Sequence, residues 1–207
     1  MSKALIYFSV FSAIIPIIIG IMALKKTSLA IYWVILILSI VSFTSDSVGL
    51  IYFLIVSRST FWVINIYQIT EIILIGYFLY LYLEAKKVVL VITLLFLLYF
   101  LYHIFIINFN EFYGTTLAVH ALVNILFCLL VFYQFYKSEQ EIFIEQSPIF
   151  WMNIGLLTYF SGALFSFLLS IDILQIGSGY NWHFHNIANI LKNILFAIGL
   201  WKVRAVA

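Results

Sequence analysis

Apolar runs of about twenty residues follow one another along the whole chain, and no other feature limits the fold as sharply. A helix of that length matches the hydrocarbon thickness of a bilayer, so each run reads as a membrane helix. Composition agrees. Of the 207 residues 66% are hydrophobic and 9% charged, whereas a soluble domain carries about 25% charged residues. The expected fold is an all-α integral membrane protein, a single seven-transmembrane-helix bundle over residues 1–207. The segments run from about 4–24, 29–56, 61–83, 88–107, 115–136, 149–171 and 182–203. Pro148 suits the first turn of the sixth. The chain opens with Lys3 and an apolar run, but no small-x-small cleavage site precedes Lys25-Lys26, so a retained helix is expected rather than a signal peptide. No soluble domain or tail stands out, and a catalytic or nucleotide-binding domain would have to come from another chain.

Lysine and arginine set the expected orientation. Lys25, Lys26, Lys86, Lys87, Lys137, Lys202 and Arg204 fall on one side, and only Lys3 and Arg58 on the other. This places the N-terminus outside and the C-terminus in the cytoplasm, with the plasma (inner) membrane as the location. The longest connector, residues 137–147, is then cytoplasmic and carries Glu139, Glu141 and Glu145. It reads as a solvated linker or as a docking surface for a cytoplasmic signalling partner.

Several ionisable residues nevertheless sit inside apolar segments, where they are costly and normally face the bundle interior. Lys192 and Glu71 each fall eleven residues into their segments from the outside, and Asp46 lies at a similar depth, roughly 15 Å below the outer surface. His103, His120, His183 and His185 lie above them, with Asn65, Gln68, Asn124, Asn186 and Asn189 in the same outer half. Asn153 and Asn193 are the main polar residues of the inner half. At helical periodicity His185, Asn186, Asn189, Lys192 and Asn193 share an arc of about 120°. Asn65, Gln68 and Glu71 share a face of segment three, Ser39, Ser42, Asp46 and Gly49 one of segment two, and Thr116, His120 and Asn124 one of segment five. Four polar faces are expected to converge on one internal site open to the outside. Its ligand-binding residues would be Asp46, Asn65, Gln68, Glu71, His120, Asn124, His185, Asn189 and Lys192, with Lys192 paired to Glu71 or Asp46. Tyr7, Tyr67, Tyr77 and Tyr159 are further candidates for its lining. Gly155, Gly162, Ser166 and Ser170 form a small-residue stripe on segment six that permits close helix packing. Polar side chains that merely join helices by hydrogen bonds are the competing explanation for these faces.

Segments three and seven can be superposed: "NIYQITEIIL" (65–74) aligns with "NIANILKNIL" (186–195), setting Glu71 over Lys192 and Gln68 over Asn189. With "GLIYFLIVS" (49–57) over "GALFSFLLS" (162–170), this suggests a 3+1+3 parallel repeat of the kind used by some transporters.

Four functions fit these residues. The leading one is a receptor or sensor without chemistry of its own, its outward pocket holding a small polar, zwitterionic or carboxylate ligand on Lys192 and the asparagines. The second is a small-solute transporter. In topology and in Asn65 and Asn186 the chain resembles the seven-helix sugar-exporter and nicotinamide-riboside carriers, but it lacks their Pro-Gln pair and has only Pro16 and Pro148. The third is a metal-dependent intramembrane hydrolase, with His120, His185, Asp46 and Glu71 as candidate zinc ligands. Ser42-x3-Asp46, Glu71 and His185-x3-Asn189 are similar to the pattern of the alkaline ceramidase-like hydrolases, with two of the three histidines replaced. The fourth is a retinal protein using Lys192, since a lysine midway along the seventh helix, level with an acid on the third, resembles a Schiff-base lysine and its counterion. Ala188 stands where microbial rhodopsins carry an acid. Cys128 is alone, so an intrachain disulfide is excluded, and it reads as a buried small hydrophobe. No basic patch or glycine-rich loop points to nucleic acid or phosphate.

Overall fold

The computed structural model describes residues 3–25, 27, 29–56, 60–109, 111–137, 144–173 and 182–206. Among them the regular secondary structure is all helical, without strands. The helices are α1 (Lys3–Ser12), α2 (Ile14–Ala23), α3 (Ala30–Val56), α4 (Phe61–Tyr82), α5 (Lys86–Tyr102), α6 (Gly114–Lys137), α7 (Pro148–Ile173) and α8 (Trp182–Val206). Counting α1 and α2 as one rod, six of these helices are long and apolar enough to cross a membrane. The chain is therefore a multi-pass helical membrane protein. The remaining helix, α8, is long enough at 25 residues but carries the histidines, asparagines and lysines that keep it out of that set.

Two local features depart from uninterrupted helix. The first segment breaks at Ala13 because Pro16 has no N–H for the Ser12 carbonyl and its ring crowds that turn. The flanking bonds, Ala13 N–H to Val10 O and Ile17 N–H to Ala13 O, are both stretched to 3.4 Å, and the Ser12 hydroxyl donates to Ser9 O at 2.7 Å. The fourth segment ends in a π-helical turn, His103–Ile107, closed by the Asn108 N–H on His103 O at 3.2 Å. The Tyr113 hydroxyl braces this turn by donating to His103 O at 3.0 Å.

The helices form a ring. Helix α8 packs between the first rod and α7, α7 against α6, α3 between α2 and α4, and α4 against α5. The α7–α8 seam is the tightest. A Cβ on Gly162 would lie 2.4 Å from Ala188 Cβ, and one on Gly155 2.9 Å from the Phe196 ring. Small residues thus let these two backbones approach, as the stripe on segment six suggested, and Ser166 returns its hydroxyl to Gly162 O at 2.9 Å. Ser170's side chain lies outside the described residues.

The two ends of the bundle differ. Toward the turns bearing Lys25, Lys86 and Lys137, a continuous apolar core of Leu38, Phe78, Leu79, Phe135, Met152, Leu156, Phe196 and Leu200 fills the interior. Gln134 closes that end by accepting the Glu84 N–H at 3.1 Å and donating to Tyr82 O at 3.1 Å. The polar side chains gather in the other half. Of the 137–147 connector, residues 138–143 lie outside the described set. Glu145 lies in a short 3-10 turn, Ile144–Gln146, and its carbonyl accepts the Trp151 indole N–H at 2.7 Å.

Candidate functional site

A cavity of about 410 Å³ opens within the polar half. Its walls come from five helices: Ile6, Ser9 and Val10 of α1, Ser42, Ser45, Asp46, Gly49, Leu50 and Phe53 of α3, Phe61, Val63, Ile64, Tyr67 and Gln68 of α4, Tyr159 and Phe167 of α7, and His185, Asn186 and Asn189 of α8, with Thr60 at the mouth of α4. The polar faces of α3, α4 and α8 thus meet, because a face carrying several amides and a carboxylate is excluded from lipid on every side but this one.

Asp46 is partly exposed, and it lines the cavity. Asn189 Nδ2 donates to Ser9 Oγ at 3.0 Å and reaches Asp46 Oδ2 only at 3.5 Å. One turn further along α8, Asn193 Nδ2 donates to Ser12 Oγ at 2.8 Å. The two asparagines therefore bind α8 to the first rod at the last turn before its break. Gln68 lines the cavity and is 3% exposed, yet its side-chain oxygen has no hydrogen-bond partner among the described residues. A buried amide oxygen left bare costs about 1–3 kcal/mol, so a polar group inside the cavity is its natural complement.

Glu71 and Lys192 lie behind this wall, each 2% exposed. The Tyr67 hydroxyl donates to Glu71 Oε1 at 2.7 Å, and the Tyr159 hydroxyl lies beside the same carboxylate. Lys192 Nζ sits 4.2 Å from the centre of the Tyr159 ring, a cation–π contact. Both Glu71 and Asp46 act on its charge, but among the described residues it makes no direct ion pair. The expected Lys192–carboxylate pair is thus replaced by an ammonium held over an aromatic face between two acids. Tyr159 is the common element, because it touches the lysine with its ring and approaches Glu71 with its hydroxyl.

Three expected site residues lie elsewhere. Asn65 turns to the 108–113 loop, donating to Phe109 O at 2.9 Å and Glu111 O at 3.0 Å. His120 stacks on Phe96 of α5 at 5.0 Å and meets Phe160 edge-on at 5.6 Å. Asn124 returns its amide to His120 O at 2.9 Å. The stripe on α6 therefore faces α5 and α7. Of the suggested zinc donors, His120 is separated from the cavity that holds Asp46 and His185, and among the described residues no three of His, Cys, Asp and Glu come together. Tyr7 and Tyr77 are 39% and 46% exposed, away from the site that Tyr67 and Tyr159 line. Ser9 and Ser12, two site residues not anticipated, are three apart on α1 and share a face, a faint signal in an otherwise apolar helix.

A larger groove of about 630 Å³ lies between α5 and α6, where the ring of helices is loosest. Ile92, Leu95, Phe96, Tyr99, Phe112 and Val119 make up most of its walls and it holds none of the internal charges, so it suits lipid chains rather than a polar ligand. Comparison with protein-family models, curated proteins and solved structures returns no match.

Proposed function

We propose that the chain is a seven-helix, receptor-like membrane protein that binds a small ligand in this cavity from the outside, and that α8 is its seventh span. The observation that carries the reading is the joining of a ligand-sized, partly unsatisfied cavity to a buried charge cluster through shared side chains. Asn189 contacts Asp46 on the wall, and Tyr159 belongs to both the wall and the seat of Lys192. A ligand that engages Asp46 changes the balance of charge around Lys192 without touching it. Any difference in its affinity for two arrangements of α8 then shifts the population between them. The apolar core beneath the cavity favours binding over passage, and Lys192, screened by Tyr159 and off the cavity wall, favours a charge sensor over an attachment point for a chromophore. The positive-inside bias supports an external opening for the cavity.

Cysteine accessibility tests this. In a Cys128→Ala background, Asn186→Cys on the cavity wall should react with a membrane-impermeant methanethiosulfonate added to intact cells. Lys87→Cys on the α4–α5 side should react only after permeabilisation. Labelling with the sides exchanged would reverse the orientation, and an inert Asn186→Cys would remove external access.

A further inference from the structure

We propose that the ligand of this cavity is a small organic cation, a primary or secondary ammonium group on an apolar, aryl or alkyl body, with Asp46 as its charged anchor. This rests on the reading of the cavity as a ligand site and adds its chemical class.

Three ionisable side chains occupy this region, the buried Glu71 and Lys192 and the partly exposed Asp46. They are not equally placed. Glu71 is taken up by Tyr67, and Lys192 sits over Tyr159. Both lie behind the wall, leaving Asp46 as its one charged group among the described lining residues. Taking the formal charges, the wall is negative and so is the cluster as a whole. A second fixed negative charge in a membrane interior is costly unless a cation compensates it or the carboxyl takes up a proton, and a cationic ligand removes that cost. Asp46 is also poorly served by the protein. Its one hydrogen bond among the described residues is the 3.5 Å contact from an Asn189 amide that sits closer to Ser9. An ionised carboxylate offers about four acceptor positions, so most of its capacity faces the cavity.

Gln68 fits the same ligand. The Gln68 oxygen is buried, on the wall and unpartnered. A primary ammonium brings three donors, a secondary one two, and neither an acceptor, which matches a carboxylate and a bare amide oxygen. A carboxylate ligand would meet Asp46 directly and find its cation screened by an aromatic ring. Most of the remaining wall is apolar, with Leu50, Phe53, Phe61 and Phe167 among its members. A bare inorganic cation would leave that surface unused, whereas a hydrocarbon body fills it and the rings add cation–π attraction. The volume of about 410 Å³ lies within the range of small-molecule sites, roughly 300–1,000 Å³.

The test uses the full chain in detergent micelles and reads thermal unfolding with three matched series, alkyl- and phenylalkylammonium ions, the corresponding alcohols and the corresponding carboxylates, with sodium chloride as a fourth arm. The ammonium series should raise the melting temperature with increasing concentration, and the alcohols and carboxylates should not. Asp46→Asn, nearly isosteric, should weaken the ammonium effect at least tenfold, and Gln68→Leu should weaken it less. Should either variant fail to fold, protection of Asn186→Cys from thiol labelling by the same series gives an independent readout. Equal effects of amine and alcohol, an effect reproduced by sodium alone, or an ammonium effect unchanged in Asp46→Asn would overturn the proposal. Protection by carboxylates that is lost in Lys192→Met would overturn it too, while leaving the cavity a ligand site. If no series stabilises the chain or protects the introduced thiol, the proposal and the binding reading both fall.

Discussion

Gly162→Ala should destabilise the bundle, although alanine is normally the better helix former. Its Cβ would lie 2.4 Å from Ala188 Cβ and 3.2 Å from the Phe184 carbonyl oxygen. Carbon atoms pack at about 3.5–4.0 Å, so the methyl is short of room by roughly 1.1–1.6 Å. Neither neighbour can rotate aside, since one is a Cβ and the other backbone. Helices α7 and α8 must therefore separate. Overpacking of this kind costs about 1–3 kcal/mol, set against about 0.5–1 kcal/mol gained from replacing a helical glycine. The expected net loss is roughly 0–2.5 kcal/mol, centred a little above 1 kcal/mol. Moving the methyl from one helix to the other, in Gly162→Ala with Ala188→Gly, removes the closest contact. The double variant should be more stable than the sum of the single changes by about 1–2 kcal/mol. The chain carries its own reporter for this cycle, because its sole cysteine, Cys128, is buried and reacts with a thiol-specific fluorophore on unfolding. A Gly162→Ala chain as stable as the wild type, or single effects that simply add, would show that this seam is not the tight contact described.

Other changes separate the roles of the polar residues. Lys192→Met leaves Asp46 and Glu71 without their cation and should cost about 3 kcal/mol. Adding Glu71→Gln should restore part of that in the same unfolding assay, and strict additivity would show that the two charges are uncoupled. Asn193→Ala should cost about 1–2 kcal/mol through its 2.8 Å bond to Ser12, with little further loss when Ser12→Ala is added. Asn65→Ala should leave the amine response unchanged but speed amide hydrogen exchange at residues 111–113, since its two bonds secure the Phe109 and Glu111 carbonyls. Loss of the amine response there would move Asn65 back to the site.

What could be read from the residues alone follows how strongly each signal depends on neighbours. Segment length and apolar content decide the helices locally, so α3, α4, α6 and α7 begin and end close to where composition changes. Periodicity shows that a helix has a polar face, and on α3, α4 and α8 that face finds the cavity. It does not show which helix stands opposite. The His120 stripe of α6 looks like those of α4 and α8 in sequence, yet the order of helices around the ring turns it toward α5 and α7. Charge counting pairs Lys192 with an acid, whereas its direct contact is the Tyr159 ring, and aromatic residues are too frequent in this chain for one to stand out. The first segment reads in sequence as one helix over 4–24, and its break at Ala13, ahead of Pro16, is a finding of the structure. The rod presents Ser9 and Ser12 to α8 only in three dimensions.

The contacts between the first rod and α8 also bear on how the chain is built. Ser9 and Ser12 leave the ribosome long before Asn189 and Asn193, their partners 180 and 181 residues later. Until then the groove beside Asp46 lacks one wall. On the proposed reading of α8 as the seventh span, it is in turn poorly suited to entering lipid alone, since a central lysine is opposed by about 2.5–3.5 kcal/mol at the translocon. Its entry is eased by docking on the helices already present, with Tyr159 waiting for the ammonium and two serines for the amides. Completion of the cavity thus waits for α8, which supplies His185, Asn186 and Asn189 to its wall, and a chain arrested short of α8 would expose its internal acids to quality control.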